Sequence, residues 1–119
     1  MILATDILKR AAQILNDDHP EQAEPVRWKE LRDYLNPALT ALFRIRATLT
    51  VGEDGGYIGN ARFDVSGSVE TASVPLDEKY GESLAFLVAR RSVELDYTDT
   101  ANLQLADYYL RRATEEAHK

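Results

Sequence analysis

Ala47-Thr48-Leu49-Thr50-Val51, Asp54-Gly55-Gly56 and Ala61-Arg62-Phe63-Asp64-Val65 decide the fold class of this 119-residue chain. Ala47, Leu49 and Val51 alternate with Thr48 and Thr50; Ala61, Phe63 and Val65 alternate with Arg62 and Asp64. That is the two-residue period of a half-buried strand. Between the runs, Asp54-Gly55-Gly56 tolerates the positive φ of a tight turn. Ser66-Gly67-Ser68 predicts a second turn and Val69 to Val74 a third strand. Five of the six glycines (52, 55, 56, 59 and 67) fall in this middle segment, residues 47–75. The expected middle is a small antiparallel β element with helices on either side. Two or three short strands are marginal alone, so they must pack on the helices or on a neighbouring chain.

Working outward, residues 1–46 read as helical. Thr5 is a good N-cap with Asp6 in the first turn. Ile7, Leu8, Ala11, Ile14 and Leu15 recur at the spacing of one buried helical face. Asn16-Asp17-Asp18-His19-Pro20 ends that helix, because a proline pushes the residue before it into extended backbone. A second helix is expected from Val26, burying Trp28, Leu31, Leu35, Leu39, Leu42 and Ile45. Pro37 predicts a kink, or a break and restart with Asn36 as the cap. Beyond Pro75, residues 76–119 predict a helical hairpin. Tyr80, Leu84, Leu87, Val88, Arg91 and Leu95 form one stripe. After the short link Asp96-Tyr97-Thr98-Asp99, Leu103, Ala106, Leu110, Ala113 and Ala117 form a narrow seam. The expected fold is mainly α with a small antiparallel β element (α+β): about four helices in a bundle, with a β-hairpin inserted between helices two and three. Trp28, Leu31, Leu35, Leu84, Leu87, Leu103 and Leu110 are the expected core.

Composition narrows the function. One domain of this length has a single core. No apolar run approaches the roughly 20 residues of a membrane span, and Met1 to Asp6 lacks the basic start and long apolar stretch of a signal peptide. With no cysteine there is no disulfide framework or thiol nucleophile. The net charge of −6 argues against a free-standing nucleic-acid binder. It is unevenly spread: seven basic against seven acidic residues in 1–46, one against four in 47–75, and six against nine in 76–119.

Motifs for catalysis are missing. His19 and His118 are the only histidines and have no ligand-spaced company, so no metal site is expected. The adjacent acids Asp17-Asp18, Glu53-Asp54, Asp77-Glu78 and Glu115-Glu116 point apart and suit solvation or helix N-termini better than acid–base work. Gly52-Glu53-Asp54-Gly55-Gly56 lacks the Lys-Ser/Thr ending of a phosphate loop and carries two acids. No enzyme, cofactor or metal is expected. The basic doublets Lys9-Arg10, Arg90-Arg91 and Arg111-Arg112 sit among acids and read as ion pairs within or between subunits. Leu105, Tyr108 and Tyr109 lie outside the last helix's seam, giving it a second apolar face that either the domain or another chain must cover.

Two segments carry a resemblance. Arg27-Trp28-Lys29-Glu30-Leu31-Arg32-Asp33-Tyr34-Leu35-Asn36, after a helix that ends in Asn16-Asp17, resembles a stretch of the head-to-tail adaptor (connector, or head-completion) proteins of tailed bacteriophages. Val74-Pro75-Leu76-Asp77-Glu78-Lys79-Tyr80-Gly81-Glu82-Ser83-Leu84 is similar to that family's entry into a final helical hairpin, whose last helix is rich in Ala, Tyr and Arg, as Ala106 to Ala117 is here. Pro37 and Gly81 depart from the family's pattern. The resemblance implies a structural virion protein of the head–tail neck, made in the host cytoplasm. It would form a homo-oligomeric ring, typically a dodecamer, that docks on the portal protein. DNA would pass through its lumen without specific binding, and a tail or tail-completion protein would attach to it, with no membrane involved. By the family's habit Tyr108, Tyr109, Arg111, Arg112 and Lys119 are the portal candidates. Glu53, Asp54 and Tyr57 are candidates for the tail or a neighbouring subunit. The alternatives are another neck or tail protein, such as a tail terminator or completion factor, and a small acidic regulator that binds a host protein.

Overall fold

The computed structural model describes residues 1–19, 24–52, 54–95 and 100–119, without the side chains of Thr100 and Ala101. The described residues are mainly helical, with four α-helices and one small antiparallel sheet, an α+β arrangement. Strand β1 (Ile2–Leu3) runs directly into α1 (Ala4–Asp18). α2 spans Leu35–Ile45, β2 Ser73–Val74, α3 Gly81–Glu94 and α4 Thr100–Ala117.

α1 follows the periodicity. Ile7, Leu8, Ala11, Ile14 and Leu15 are all buried, joined by Ala4 and Ala12. It begins one residue before the expected cap and has no side-chain cap; its entry is held by the backbone, with Ala4 N–H donating to Ala72 O at 2.9 Å. α2 is shorter than expected. Trp28–Tyr34 form a 3₁₀ helix that buries only Leu31, and α-helical geometry starts at Leu35. Pro37 is the cause. It has no N–H to donate to the carbonyl four residues back, so it fits only in a helix's first turn, where that donor would be unused. The segment upstream therefore cannot join a continuous α-helix. Trp28 stays half-buried rather than central.

The middle segment corrects the expected hairpin. Ala47–Thr50 is a 3₁₀ turn, residues 61–65 are in no strand, and Val51 and Tyr57 make one isolated antiparallel bridge. Val69–Thr71 is also a 3₁₀ turn, and only Ser73–Val74 of the expected third strand pairs, with Leu3 and Ile2. Alternation identified only part of what turns inward: Leu49 and Phe63 are buried and Ala61 and Val65 pack against the core, but Ala47 and Val51, expected on the same face, are exposed. It carried no information about what the backbone pairs with. Asn36 takes that role. Its Nδ2 donates to Phe63 O at 3.1 Å and its Oδ1 accepts from Phe63 N–H at 2.8 Å, satisfying both backbone groups as a neighbouring strand would. Asn16 does the same for Val26, at 3.1 and 2.7 Å.

α3 is the central element, packed by α1, α2 and α4. Asp77 caps its approach by accepting from Lys79 N–H at 2.9 Å. Every residue from Ser83 to Ala89 is buried, so α3 is enclosed on all sides rather than along one stripe. Arg91 and Leu95, expected on that stripe, are exposed. α4 is rotated from its expected seam. Ala106, Tyr109, Ala113 and Ala117 face inward, Leu110 is half-buried, and Leu103 is 50% exposed. The alanines let α4 lie close enough for the buried Ser83 hydroxyl to donate to Ala113 O at 2.7 Å. Arg46, just beyond α2, donates to Ala117 O at 2.7 Å and to the Tyr80 hydroxyl at 3.3 Å. It places a cation at the carbonyl end of α4 and ties three helices together.

Candidate interaction surfaces

The five portal candidates separate into two groups. Tyr109 is fully buried, so it leaves the list of surface residues: its ring packs 6.0 Å from that of Phe86 and its hydroxyl donates to Asp18 Oδ2 at 2.6 Å. A tyrosine ring can be buried this deeply because the end of α1 supplies its hydroxyl with an acceptor. Burial, then the bond to Asp18, holds the phenol well above its ordinary range. Arg112 also turns toward the fold. It lies 5.2 Å from the Phe86 ring centroid and beside Glu115 and Glu116, at 3.4 and 3.7 Å. Lys119 is exposed and pairs with Glu116 at 2.8 Å.

Tyr108 and Arg111, like Lys119, face outward. Tyr108 is 42% exposed, and the Arg111 guanidinium sits 5.9 Å from its ring centroid. A guanidinium held over a phenol face presents charge and apolar area together, the composition of binding hot spots. With the exposed Leu103, these side chains give α4 an outer surface distinct from its packed side.

The second surface is the tip at 54–57; Glu53, the third residue expected there, lies outside the described residues. Gly55 adopts φ 85°, a conformation in which a side chain would be strained. The turn closes through Gly52 N–H to Gly56 O at 2.7 Å, Ile58 N–H to Thr50 O at 2.6 Å, and Gly56 N–H to Asp54 Oδ1 at 2.9 Å. Tyr57 lies across Gly59, where a Cβ would collide with its ring, and is 70% exposed. The tip thus displays a carboxylate and an aromatic ring on one short turn.

Two further features were not singled out from the sequence. Trp28 lies between two ammonium groups, Lys9 at 5.5 Å and Lys29 at 5.4 Å from its ring. A groove between α2 and α3 collects Arg44, Arg90 and Arg91. The doublet Arg90-Arg91 was visible in the chain, but its convergence with Arg44 depends on two helices packing side by side. Among the described residues, no three His, Asp or Glu side chains gather where they could hold a metal ion, and no helix is long and apolar enough to cross a membrane.

Compared with protein-family models, curated proteins and solved structures, the chain finds no significant match in any of the three.

Proposed function

We propose that this chain is a structural virion protein, the head-to-tail adaptor of a tailed bacteriophage. In this reading copies of it form a ring that docks on the portal, extends the DNA channel and offers the tail its attachment surface. The helices act as a bundle, and the 47–75 segment, inserted between helices two and three, carries the tip outward. The observation that carries the reading is the outer face of α4, where Tyr108 and Arg111 stand exposed outside the side that packs on α3. It is supported by the order and spacing of the Arg27–Asn36 and Val74–Leu84 segments. A net charge of −6 suits a lumen through which DNA slides without being held, since lysines and arginines directed at phosphates would retain it.

The test is assembly on the portal. The purified full chain, mixed with the portal protein of the same genome, is expected to bind as a ring whose copy number native mass spectrometry reads directly. A chain that stays unbound from portal, or that binds it only as scattered single copies, refutes the proposal. Binding to a tail tube in place of the portal would favour a tail terminator, and a tight complex with a host protein would favour the regulator.

A further inference from the structure

The groove between α2 and α3 has a volume of about 510 Å³. Its floor is apolar, with Pro37, Ala41 and Leu87, and three arginines face one carboxylate in its lining. Glu94, that carboxylate, lies 2.6 Å from Arg90 Nε and 3.9 Å from Arg91 Nη1. Arg44 forms no ion pair among the described residues. The groove is therefore a concentrated excess of positive charge on a chain that is acidic overall. Guanidinium groups are weakly hydrated and suited to forked bonds with carboxylates, and the apolar floor gives an aromatic or aliphatic side chain a place to bury.

The chain carries a matching element of its own. The tip displays the exposed Asp54 and the exposed Tyr57. Its position rules out reaching its own groove. Val51 and Gly52 lie against Leu76 to Tyr80, at the N-terminal end of α3. The groove follows the other half of α3, from Leu87 to Glu94. A 14-residue helix is roughly 20 Å long, so tip and groove face opposite ends of it. A contact between two unlike patches at opposite ends is heterologous: each copy joined still offers a free tip and a free groove, and the series closes into a ring when the rotation allows.

We infer that the α2–α3 groove receives the Asp54–Tyr57 tip of a second copy of this chain. The Asp54 carboxylate meets Arg44, Arg90 and Arg91, and the Tyr57 ring covers the apolar floor. This rests on the ring reading above and adds the interface between neighbours.

The test uses the full chain in sedimentation velocity over a range of protein and salt concentrations. Asp54→Lys reverses the tip, and Arg44→Glu with Arg91→Glu reverses the groove without touching the close Arg90–Glu94 pair. Each variant should keep the wild-type circular dichroism and weaken self-association by about tenfold or more, the scale of two reversed surface ion pairs. Mixing the two variants should restore assembly with the two chains alternating, because each tip then matches the groove of the other variant. All three substitutions in one chain should restore the full assembly. Assembly that none of the variants alters overturns the inference and leaves the ring reading standing. Variants that weaken assembly without restoration in the triple variant overturn it as well. A wild-type chain that stays monomeric and whose groove takes up a hexaglutamate peptide through Arg44 and Arg91 also overturns it, assigning the groove to a foreign acidic partner. In that case the ring reading is judged separately, by assembly on the portal.

Discussion

Tyr109 is where core and interface readings of this chain part most sharply, so substitution there is the most informative perturbation. Tyr109→Ala removes a fully buried ring, its contact with Phe86 and its bond to Asp18. Truncating a buried aromatic residue costs about 3–5 kcal/mol, a large share of the roughly 5–15 kcal/mol that holds a domain together. Tyr109→Phe keeps the ring and gives up only the hydroxyl. Hydrogen bonds to charged groups are worth about 1.5–3 kcal/mol; Asp18 is exposed, so water replaces the donor and the loss falls toward about 1–1.5 kcal/mol. Alkaline pH adds a second, independent reading. Burial and the Asp18 bond raise the folded phenol above its ordinary 10.0. The stabilisation from keeping it neutral is whole below that value and declines above it by about 1.4 kcal/mol per pH unit, because the unfolded chain releases the proton first. Near pH 11 the wild type should lose its advantage over Tyr109→Phe and fall below it at higher pH. Urea unfolding followed by far-ultraviolet circular dichroism at pH 7, 9, 10.5 and 11.5 measures both effects. A Tyr109→Ala variant within about 1 kcal/mol of wild type, or parallel pH profiles for wild type and Tyr109→Phe, would refute the placement of this residue in the core.

Three more substitutions test the contacts that join the helices. Arg46→Met gives up the bonds to Ala117 O and the Tyr80 hydroxyl and should cost about 2 kcal/mol, with faster amide exchange in the last turn of α4 as its local signature. Asn36→Ala leaves both backbone groups of Phe63 without their partner and should cost about 1–3 kcal/mol, seen as earlier proteolysis within residues 61–65. Ala113→Leu forces a branched side chain into the close α3–α4 contact and should cost about 1–3 kcal/mol in thermal unfolding.

The readable parts of this chain were those whose structure is local. The five apolar positions of α1 are all buried because one helix with one buried face needs no knowledge of its neighbours. The unread parts depend on distant partners. Alternation at 61–65 placed Phe63 inside, but an amide 27 residues away, on Asn36, satisfies its backbone where a strand was expected. α4 offered two apolar faces of similar quality, one through Leu103 and Leu110 and one through Tyr109. The choice between them turned on whether a buried hydroxyl had an acceptor, and that acceptor is Asp18, 91 residues earlier. Pro37 was read correctly as an interruption; placing the restart at Leu35 required knowing that the proline takes a first-turn position inside α2 rather than the position after an Asn36 cap. Of the candidate surface residues, Asp54, Tyr57, Tyr108, Arg111 and Lys119 are exposed, while Tyr109 and Arg112 turned toward the fold for reasons no spacing contains.

That division decides how docking must be tested in a virion. Removing residues 106–119 would seem the direct way to abolish a contact made by the C-terminal helix. Those residues, however, include the buried Ala106, Tyr109, Ala113 and Ala117, and the carbonyl that Arg46 caps. A truncated chain loses its fourth helix's packing on α3 and is expected to unfold, so heads without tails would report a missing protein as readily as a missing contact. Tyr108→Ala with Arg111→Glu avoids the confusion. Arg111 is exposed and Tyr108 is 42% exposed with its ring 5.9 Å from that of Tyr109, so the double substitution should cost no more than about 1 kcal/mol. The variant should therefore stay folded, which its circular dichroism checks. If the outer face of α4 docks on the portal, the same variant should still accumulate in infected cells, yet leave DNA-filled heads with neither adaptor nor tail. Tailed virions in normal yield, carrying the doubly substituted chain at wild-type copy number, would remove α4 from the docking surface.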